Sequence, residues 1–543
     1  MLSIEVTGQV LDIPKDFTIT VDLKNPMFNE IGDYSFPFKL PATPVNKAIL
    51  GWKSRIENTR SIWEEFSATI LWNGLTLFSG QLRSKLCNDL TYEVTLFIER
   101  GNFNWEIKNI ALNEMDLGHR LFNTEAEGMA FINTCLPLFY PDIELAFPQV
   151  RDYTYHDPPE DNVELQDFNH VYPDGYLHKT INGDPATRTI LVPMLYLRYI
   201  LKRICENLGY TLDDQFFSSQ RELNNLVVFS SADTNGVVNF GLQFMYNQFF
   251  VPNIQVNVFI AELEKLFNCT FFVGSMTRNI RIIGNKNILL NAQVVDFSQN
   301  IVSITNDIGD QLTGYTLIMN PDSGDLLYQA QLDAEKPTLD LIKGAFDTKA
   351  DIPDFPITKL FDIVYIISED KWYQLAVVSW LVQWVEISPG PSLSDRFFYG
   401  PPLNKNKMET QFSNLLQPSF AVECGNAQDD CRTITPRLFF VDRGNWFGYG
   451  VKTLGFTTNY NLSLKYTGPC GLFVKYWKEY LMWLLKERKY VRIEKQMSFL
   501  ELQNFDFSKK YRINEMNYII DEIQVTLTMN QIKTAMIKAY SVG

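Results

Sequence analysis

The sequence predicts a β-rich α+β protein with several domains, in which antiparallel β-barrel-like meanders near both termini flank small helix-on-sheet domains. Three observations lead to this prediction. Apolar and polar residues alternate over short stretches at both ends of the chain, as in strands with one buried face. Two-residue turn signals separate these stretches. Between the two ends, apolar residues recur at helical spacing directly before short strand-like runs.

Length and composition limit the class of protein. The chain has 543 residues, more than one hydrophobic core supports, so three or four domains are expected. Hydrophobic residues make up 46% and aromatic residues 14%, which excludes a globally disordered chain. The formal net charge of −15 argues against a nucleic-acid clamp, because neutralising phosphates requires clustered Lys and Arg. The acidity indicates either ordinary solubility or a surface that DNA passes without sticking.

Changes in pattern divide the chain into six segments. They are an N-terminal β-barrel-like domain (1–110), a loop-rich mixed segment (111–190), an α+β helix–strand domain (191–295), a β-rich domain (296–390), a linker or loop (391–432), and a C-terminal β domain with an amphipathic helix (433–543). The linker is predicted from its prolines and glycines, which favour turns over regular structure.

The first segment begins with two predicted strands and continues into a proline-rich arm at residues 25–51. Four prolines prevent regular strand pairing in the arm, while its aromatic side chains supply apolar contacts. We predict an ordered, extended segment that is either an ordinary covered loop or a contact between subunits. The residues assigned to that contact are Pro26, Phe28, Tyr34, Phe36 and Phe38.

Three strands with tight turns are predicted for residues 68–98. A similar meander is predicted for residues 511–540, with strand-like pieces at 511–513, 518–520, 523–528 and 532–540. The residues at the first hairpin turn of each meander are Asn73, Gly74, Asn514 and Glu515. Apolar positions and turns coincide without a gap: Gly80 aligns with Asp521, Leu82 with Ile523, Leu86 with Leu527, and Leu96 with Ile537. Two hypotheses stay open, a true internal repeat and the general likeness of any two β-meanders.

The middle of the chain contains two helix–strand units. Apolar stripes at 195–204 and 259–267 predict helices, each followed by a short strand at 210–212 and 270–273. The C-terminal segment opens with an amphipathic helix from residue 472 to about 488. A short strand and turn are predicted after that helix, at 500–507. Core packing explains these stripes without a ligand.

Three of the four histidines lie in the loop-like segment 152–184. His156, His170 and His178 have carboxylates nearby, so a metal or acid/base site is one interpretation. Their spacing matches no compact ligand pattern, which favours a polar surface loop. The sequence therefore predicts no metal and no cofactor.

The seven cysteines show no metal-ligand spacing. Cys424 and Cys431 flank a polar loop and are either a disulfide or two free thiols, and the other five lie in apolar patterns. This usage suggests a reducing compartment during folding. The N-terminus lacks the basic and apolar regions of a signal peptide, so none is expected. The longest apolar run, 375–385, is too short to span a bilayer.

No catalytic constellation is recognisable in the sequence. There is no GxSxG motif and no cysteine near a plausible histidine. The Gly-rich turn at 443–450 is followed by Lys452 and Thr453, close to the Lys-Ser/Thr pair of a phosphate-binding loop, but strand signals follow where such a loop needs a helix. We therefore expect no enzymatic activity.

Two stretches resemble a known class of proteins. Residues 25–51, NPMFNEIGDYSFPFKLPATPVNKAILG, resemble the opening of large tail proteins in phages and prophages of Bacteroides-type bacteria. Residues 505–542, FDFSKKYRINEMNYIIDEIQVTLTMNQIKTAMIKAYSV, resemble their ending, and the middle helix–strand units are similar too. Segments 152–184 and 388–430 are unmatched. The resemblance implies the tail or baseplate hub class, in which β-barrel domains mimic tube subunits and a protomer ring joins the tube to the tip.

From this resemblance we expect a structural component of a phage tail, made in the host cytoplasm and acting as a hub or adaptor ring. The expected partners are other copies of the chain, the tail tube, and tip or baseplate proteins. A trimer is favoured because two tube-like barrels per chain would match a six-fold tube with three copies. DNA would contact the protein only in transit through an acidic lumen. The alternatives are a tail-associated enzyme that degrades glycan or peptidoglycan, and a receptor- or glycan-binding tail protein.

Overall fold

The computed structural model describes most of both ends and of the helix–strand middle of the chain. The described residues are 1–29, 33–51, 65–148, 150–151, 167–169, 172, 174–179, 191–230, 232–234, 244–274, 277–307, 316–318, 338–340, 363–366, 371–378, 381–387, 438–446, 449–455, 462, 471–485 and 490–542. The linker predicted at 391–432 lies outside them.

The strands are numbered in chain order. In the first part of the chain they are β1 Leu2–Val6, β2 Gln9–Val10, β3 Thr18–Lys24, β4 Asp33–Ser35, β5 Phe38–Pro41, β6 Glu65–Trp72, β7 Leu75–Cys87, β8 Thr91–Ile98, β9 His119–Leu121, β10 Leu145–Ala146, β11 Val150–Arg151, β12 Asp167–Phe168, β13 Met194–Leu195, β14 Thr211–Asp213 and β15 Leu226–Val228. The later strands are β16 Phe244–Tyr246, β17 Cys269–Gly274, β18 Asn279–Gly284, β19 Val294–Asp296, β20 Ile301–Asp307, β21 Thr316–Ile318, β22 Thr338–Asp340, β23 Ile363–Ile366, β24 Lys371–Val378, β25 Leu381–Ile387, β26 Leu438–Trp446, β27 Tyr449–Gly455, β28 Tyr490–Lys495, β29 Lys510–Ile513, β30 Met516–Thr528 and β31 Ala535–Val542.

The helices are short and lie mainly in the middle of the chain. They are α1 Pro44–Leu50, α2 Glu99–Ile107, α3 Glu125–Cys135, α4 Leu197–Asn207, α5 Gln215–Ser218, α6 Arg221–Asn224, α7 Val256–Phe267, α8 Asn285–Leu290, α9 Lys478–Leu485 and α10 Phe499–Gln503, with a π-helical turn at Phe473–Trp477 and 3₁₀ turns at Leu112–Glu114 and Asn247–Phe250. Within the described residues, none of these helices has the length and apolarity to cross a membrane.

Strands from both ends of the chain form one curled sheet of 14 strands. Its main order is β2-β1-β6-β7-β8-β4-β3-β30-β31-β28-β20, and β5, β29 and β19 pair beside this path. The pairing is antiparallel except between β19 and β29. The backbone N–H of Leu2 donates to the carbonyl of Met529 at 3.0 Å, so the start of β1 meets the residue that follows β30. The predicted β-rich α+β class is confirmed.

Alternation of side chains explains why these segments are strands. In β8 every second residue, from Tyr92 to Ile98, is fully buried, and the residues between them are half-buried. The same alternation of buried and less buried residues appears in β1 and β31. Their buried apolar side chains belong to one hydrophobic core, called here the first core, which strands from both ends of the chain share. A strand with one apolar face is stable only when that face is covered. The predicted alternation of apolar and polar residues therefore determines which face of the sheet is buried.

A second core lies beneath helices α4 and α7. These helices pack beside a three-stranded sheet of order β14-β18-β17, in which β14 and β18 are parallel. The predicted stripes are buried, with Ile200 and Ile204 on one helix and Phe259 and Leu263 on the other. A third, smaller core includes residues of α3 and β10. The helix-on-sheet units predicted for the middle of the chain are thus present.

One local prediction is wrong. Residues 500–507 were expected to form a short strand and turn, but Phe499–Gln503 is the helix α10. The side chain of Ser498 accepts a hydrogen bond from the Glu501 backbone at 3.2 Å, and the Glu501 carboxylate accepts one from the Ser498 backbone at 2.8 Å. This reciprocal capping box satisfies two donors at the helix start and favours the helix over a strand.

Candidate functional site

The candidate site is the pair of meanders and the seam of strands that joins them. The N-terminal meander is β6–β7–β8 and the C-terminal meander is β29–β30–β31. Their central strands are each 13 residues long and their last strands each 8 residues long. Both meanders belong to the 14-stranded sheet, and β4 and β3 lie between them.

In each meander, a two-residue turn joins the first strand to the second. Trp72 pairs with Leu75 across the turn Asn73–Gly74, and Ile513 pairs with Met516 across the turn Asn514–Glu515. The asparagine of each turn has a positive φ, 51° at Asn73 and 55° at Asn514. Asparagine tolerates this left-handed conformation better than most residues, and such turns follow the twist of the flanking strands.

The strand pairing reproduces the gapless alignment of the two segments. Leu82 pairs with Leu96 in the N-terminal meander. The aligned residues Ile523 and Ile537 pair with each other in the C-terminal meander. Because a slip of one residue would turn each strand's apolar face outward, the shared register is a strong structural constraint. The two meanders therefore match in their first turn, in the lengths of their central and last strands, and in the pairing of these two strands around Leu82 and Ile523.

The two meanders differ at the aligned positions Gly80 and Asp521. In β7, a Cβ added at Gly80 would lie 1.8 Å from the carbonyl oxygen of Phe97, so only glycine fits there. The aligned residue in β30 is Asp521, which is left out of the ladder by a register shift between Ile520 and Glu522. A bulge of this kind accommodates a side chain by bending the strand. At this aligned position, the N-terminal meander therefore has a residue without a side chain, whereas the C-terminal meander has a bulge.

Strand β3 joins the two meanders. It pairs with β30 from Thr18↔Thr528 to Lys24↔Glu522 and, on its other edge, with β4. Asn25, which directly follows β3, is fully buried and donates through its backbone to the carbonyl of Asp521 at 2.8 Å. Its side-chain amide donates to the carbonyl of Ile520 at 2.7 Å. The beginning of the proline-rich arm is therefore tied to the bulge of the C-terminal meander.

The residues assigned to subunit contact lie on this arm. Phe28 packs against Tyr540 and Trp483 of the same chain, with ring centroids 5.2 Å and 6.1 Å away. Phe38 is buried and contacts Phe17 edge to face. The other three are Pro26 and Tyr34, both half-buried, and Phe36, which is 40% exposed and contacts Tyr34. The contact with another subunit stays a prediction, and Phe36 is the most exposed of the five side chains.

Charged side chains line the β3–β30 seam on both of its strands. Lys24 lies 3.6 Å from the Asp22 carboxylate, and Lys538 lies 2.7 Å from the Glu522 carboxylate. Burial and the neighbouring Glu522 raise the pKa of Asp22 to about 6. Burial and Glu522 also raise the pKa of Asp521 to about 6. These carboxyl groups gain a proton nearer to neutral pH than exposed ones do.

A second carboxyl pair lies between β4 and α2. Asp33 is buried, and its carboxylate accepts a 2.6 Å hydrogen bond from the Lys24 backbone. Burial, followed by the nearby Glu99, raises the pKa of Asp33 well above its usual range. Burial raises the pKa of Glu99 to about 7. Sequence reasoning missed these carboxyls because each sits singly in the sequence, and only the pairing of distant strands brings them together.

The predicted histidine site is only partly described. His156 and His170 lie outside the described residues. The Nε2 atom of His178 is 2.6 Å from the Asp174 carboxylate, and both side chains are about half exposed. Across the part of the chain that is described, no three His, Cys, Asp or Glu side chains come together as a metal site would need.

Four cysteines of the described residues are free thiols: Cys87, Cys135, Cys205 and Cys269. Three of them are buried, and burial raises the pKa of Cys135 and of Cys205 to about 12. Thiols held in this state are poor nucleophiles. The proposed pair Cys424 and Cys431 lies outside the described residues.

Comparison with known proteins gives one weak structural similarity. No protein-family model matches the sequence, and no curated protein matches it. Among solved structures, the chain is similar to the 43 kDa tail protein of prophage MuSo2 from Shewanella oneidensis. The two sequences are 6% identical, the match covers 99% of this chain and 97% of that one, and the TM-score is 0.32. A TM-score this low does not establish a shared fold.

Proposed function

We propose that this protein is a structural component of a phage tail, acting as a hub or adaptor ring that joins the tail tube to the tip or baseplate. The observation that carries the proposal is the pair of meanders in one curled sheet, which share the first turn, the lengths of the central and last strands, and the register between them. The resemblance of residues 25–51 and 505–542 to phage tail proteins supports the same assignment.

The stoichiometry follows from the paired meanders. If each meander stands in place of one tube subunit, three chains offer six equivalent contacts to a six-fold tube. Closed rings of this kind need contacts between different patches of neighbouring subunits. Phe36, exposed on the arm, belongs to one such patch in this proposal. The net charge of −15 suits a lumen through which DNA passes without being retained.

The proposed role is assembly without catalysis or a cofactor. Its partners are other copies of the chain, tube protein, and tip or baseplate proteins, and it is localised in the virion. An activity screen on cell-wall and capsular glycans separates this role from that of a tail-associated hydrolase. Turnover of any of these substrates by purified protein would contradict the proposal.

Light scattering on purified protein, alone and mixed with tube protein, tests the oligomeric part. The expected mass is that of three chains of 62.8 kDa in at least one of the two conditions. A monomer under both conditions would contradict the ring.

Electron microscopy of particles labelled with an antibody to this chain tests the location of the protein in the virion. Label on the head or along the whole tube would exclude a hub.

A further inference from the structure

A cleft of about 240 Å³ lies on the outer face of the N-terminal meander. Its floor is formed by β1, β6 and β7, and its opposite wall by Asn102 of α2, Tyr210 of the second core, and Arg278 of the turn between β17 and β18. The cleft thus lies where the large sheet meets the helix–strand unit. Binding sites in proteins occur preferentially at such junctions.

Small polar side chains form the floor of the cleft. The Thr69 and Ser79 hydroxyl oxygens lie 3.5 Å apart, and the Gln81 amide donates to the Ser67 hydroxyl at 3.3 Å. Both contacts are long for hydrogen bonds of these types. Each hydroxyl has one donor and two acceptor positions, and an amide has two of each. The floor therefore offers several donors and acceptors in a small area.

The wall adds a buried acceptor. Asn102 is 4% exposed, and its amide nitrogen donates to Glu106 at 2.9 Å. Within the described residues, the Asn102 side-chain oxygen accepts no hydrogen bond of normal geometry, and the Tyr210 hydroxyl interacts with this side chain and with Glu106. A buried acceptor left in this state costs about 1–3 kcal/mol, so a ligand that carries hydroxyl donors would be favoured next to this wall.

The charges around the cleft exclude an anionic ligand. Among the described residues that line it, the charged side chains are Glu5 and Arg278, of opposite sign. The Arg278 guanidinium already donates to the carbonyl of Leu208 at 3.1 Å and lies 5.3 Å from the Tyr210 ring centroid. Phosphate recognition needs several converging cations or a helix N-terminus, and the described residues that line the cleft provide a single cation, Arg278.

From the hydroxyl-rich floor, the buried Asn102 oxygen and the balanced charge of the lining, we propose that this cleft binds a neutral, polyhydroxylated ligand the size of one sugar ring. Its volume is below the usual range of about 300–1,000 Å³ for small-molecule pockets, which limits the ligand to one ring. The floor hydroxyls hydrogen-bond the ligand hydroxyls, and Asn102 orients the ring at the wall. This site does not depend on the proposed role in a tail.

Ligand-detected NMR with the full chain tests the proposal. The probes are glucose, galactose, mannose and N-acetylglucosamine, with glucose 6-phosphate as the charged comparison. We expect saturation transfer to at least one neutral sugar, with a Kd of about 1 mM. Thr69→Val keeps the shape of the side chain and removes one hydroxyl, so it should weaken binding about tenfold.

Two further variants sharpen the test. Ser79→Ala should weaken binding to a similar degree. Thr20→Val is the matched control, because it removes a hydroxyl from the same sheet at the seam, where Thr20 contacts Thr526 at 2.9 Å. Circular dichroism checks that each variant is folded. No transfer to any neutral sugar, stronger binding of glucose 6-phosphate, or equal binding by the Thr69→Val, Ser79→Ala and unchanged proteins would each overturn the assignment.

Discussion

Replacing Gly80 with alanine tests the geometry of the N-terminal meander. The added Cβ would lie 1.8 Å from the Phe97 carbonyl oxygen and 2.8 Å from its carbon. A carbon–oxygen contact needs about 3.3 Å, so β7 and β8 would have to separate by about 1.5 Å. Both groups are backbone atoms and cannot rotate away. We expect Gly80→Ala to lower the free energy of unfolding by about 3 kcal/mol or more.

Urea unfolding followed by circular dichroism measures this loss. The matched control is Gly74→Ala, in the hairpin turn at φ +78° with no atom within 4 Å of the added Cβ. That change introduces only the left-handed backbone strain, about 1–2 kcal/mol. Equal losses for the two variants would mean that the close approach of β7 to β8 is not what requires glycine at Gly80, and the steric argument would fail.

Three other predictions concern stability. Because the folded-state pKa of Glu99 is about 7 and its unfolded pKa is about 4.3, the native state binds more protons between these values; stability should therefore fall as pH rises from about 5 to 8, and Glu99→Gln should flatten this profile in urea titrations. Ser498→Ala removes the cap that accepts from the Glu501 backbone and should cost about 1 kcal/mol by the same assay, whereas no loss would show that the cap is dispensable. Arg100→Ala leaves the Glu264 carboxylate, now held by two bonds of 2.8 and 2.6 Å, without its charge partner, and should cost about 3–5 kcal/mol. A loss below 1 kcal/mol would refute the account of that ion pair.

Local pattern was enough to predict much of the sheet. Alternation located β8 and β31, and the pair Asn73–Gly74 located a turn, because both signals depend only on neighbouring residues. The capping box at Ser498 was equally local and was overlooked, since the apolar residues after it also fit a strand. What the sequence could not show is which strands become neighbours.

The seam is the clearest case of information that is not local. Thr20 and Thr526 share a hydrogen bond across 506 positions of the chain, and Asp22 meets Glu522 only because β3 pairs with β30. No periodicity or motif in either segment selects the other as its partner. The carboxyl groups of the seam, the main electrostatic feature of the candidate site, were therefore invisible before the topology was known.

This topology also narrows what the proline-rich arm can do. Asn25 and Phe28 hold the arm to the C-terminal meander, and Phe38 fills the core beside Phe17. A side chain that completes its own core cannot bind another subunit without opening that core, at about 1.5–3 kcal/mol for each aromatic or aliphatic group exposed. In the proposed ring, subunit contact through the arm would therefore use its exposed side chains, such as Phe36 and Val45. The rest of the arm acts as the connection that keeps the two meanders in one sheet, which a hub built from paired meanders would require.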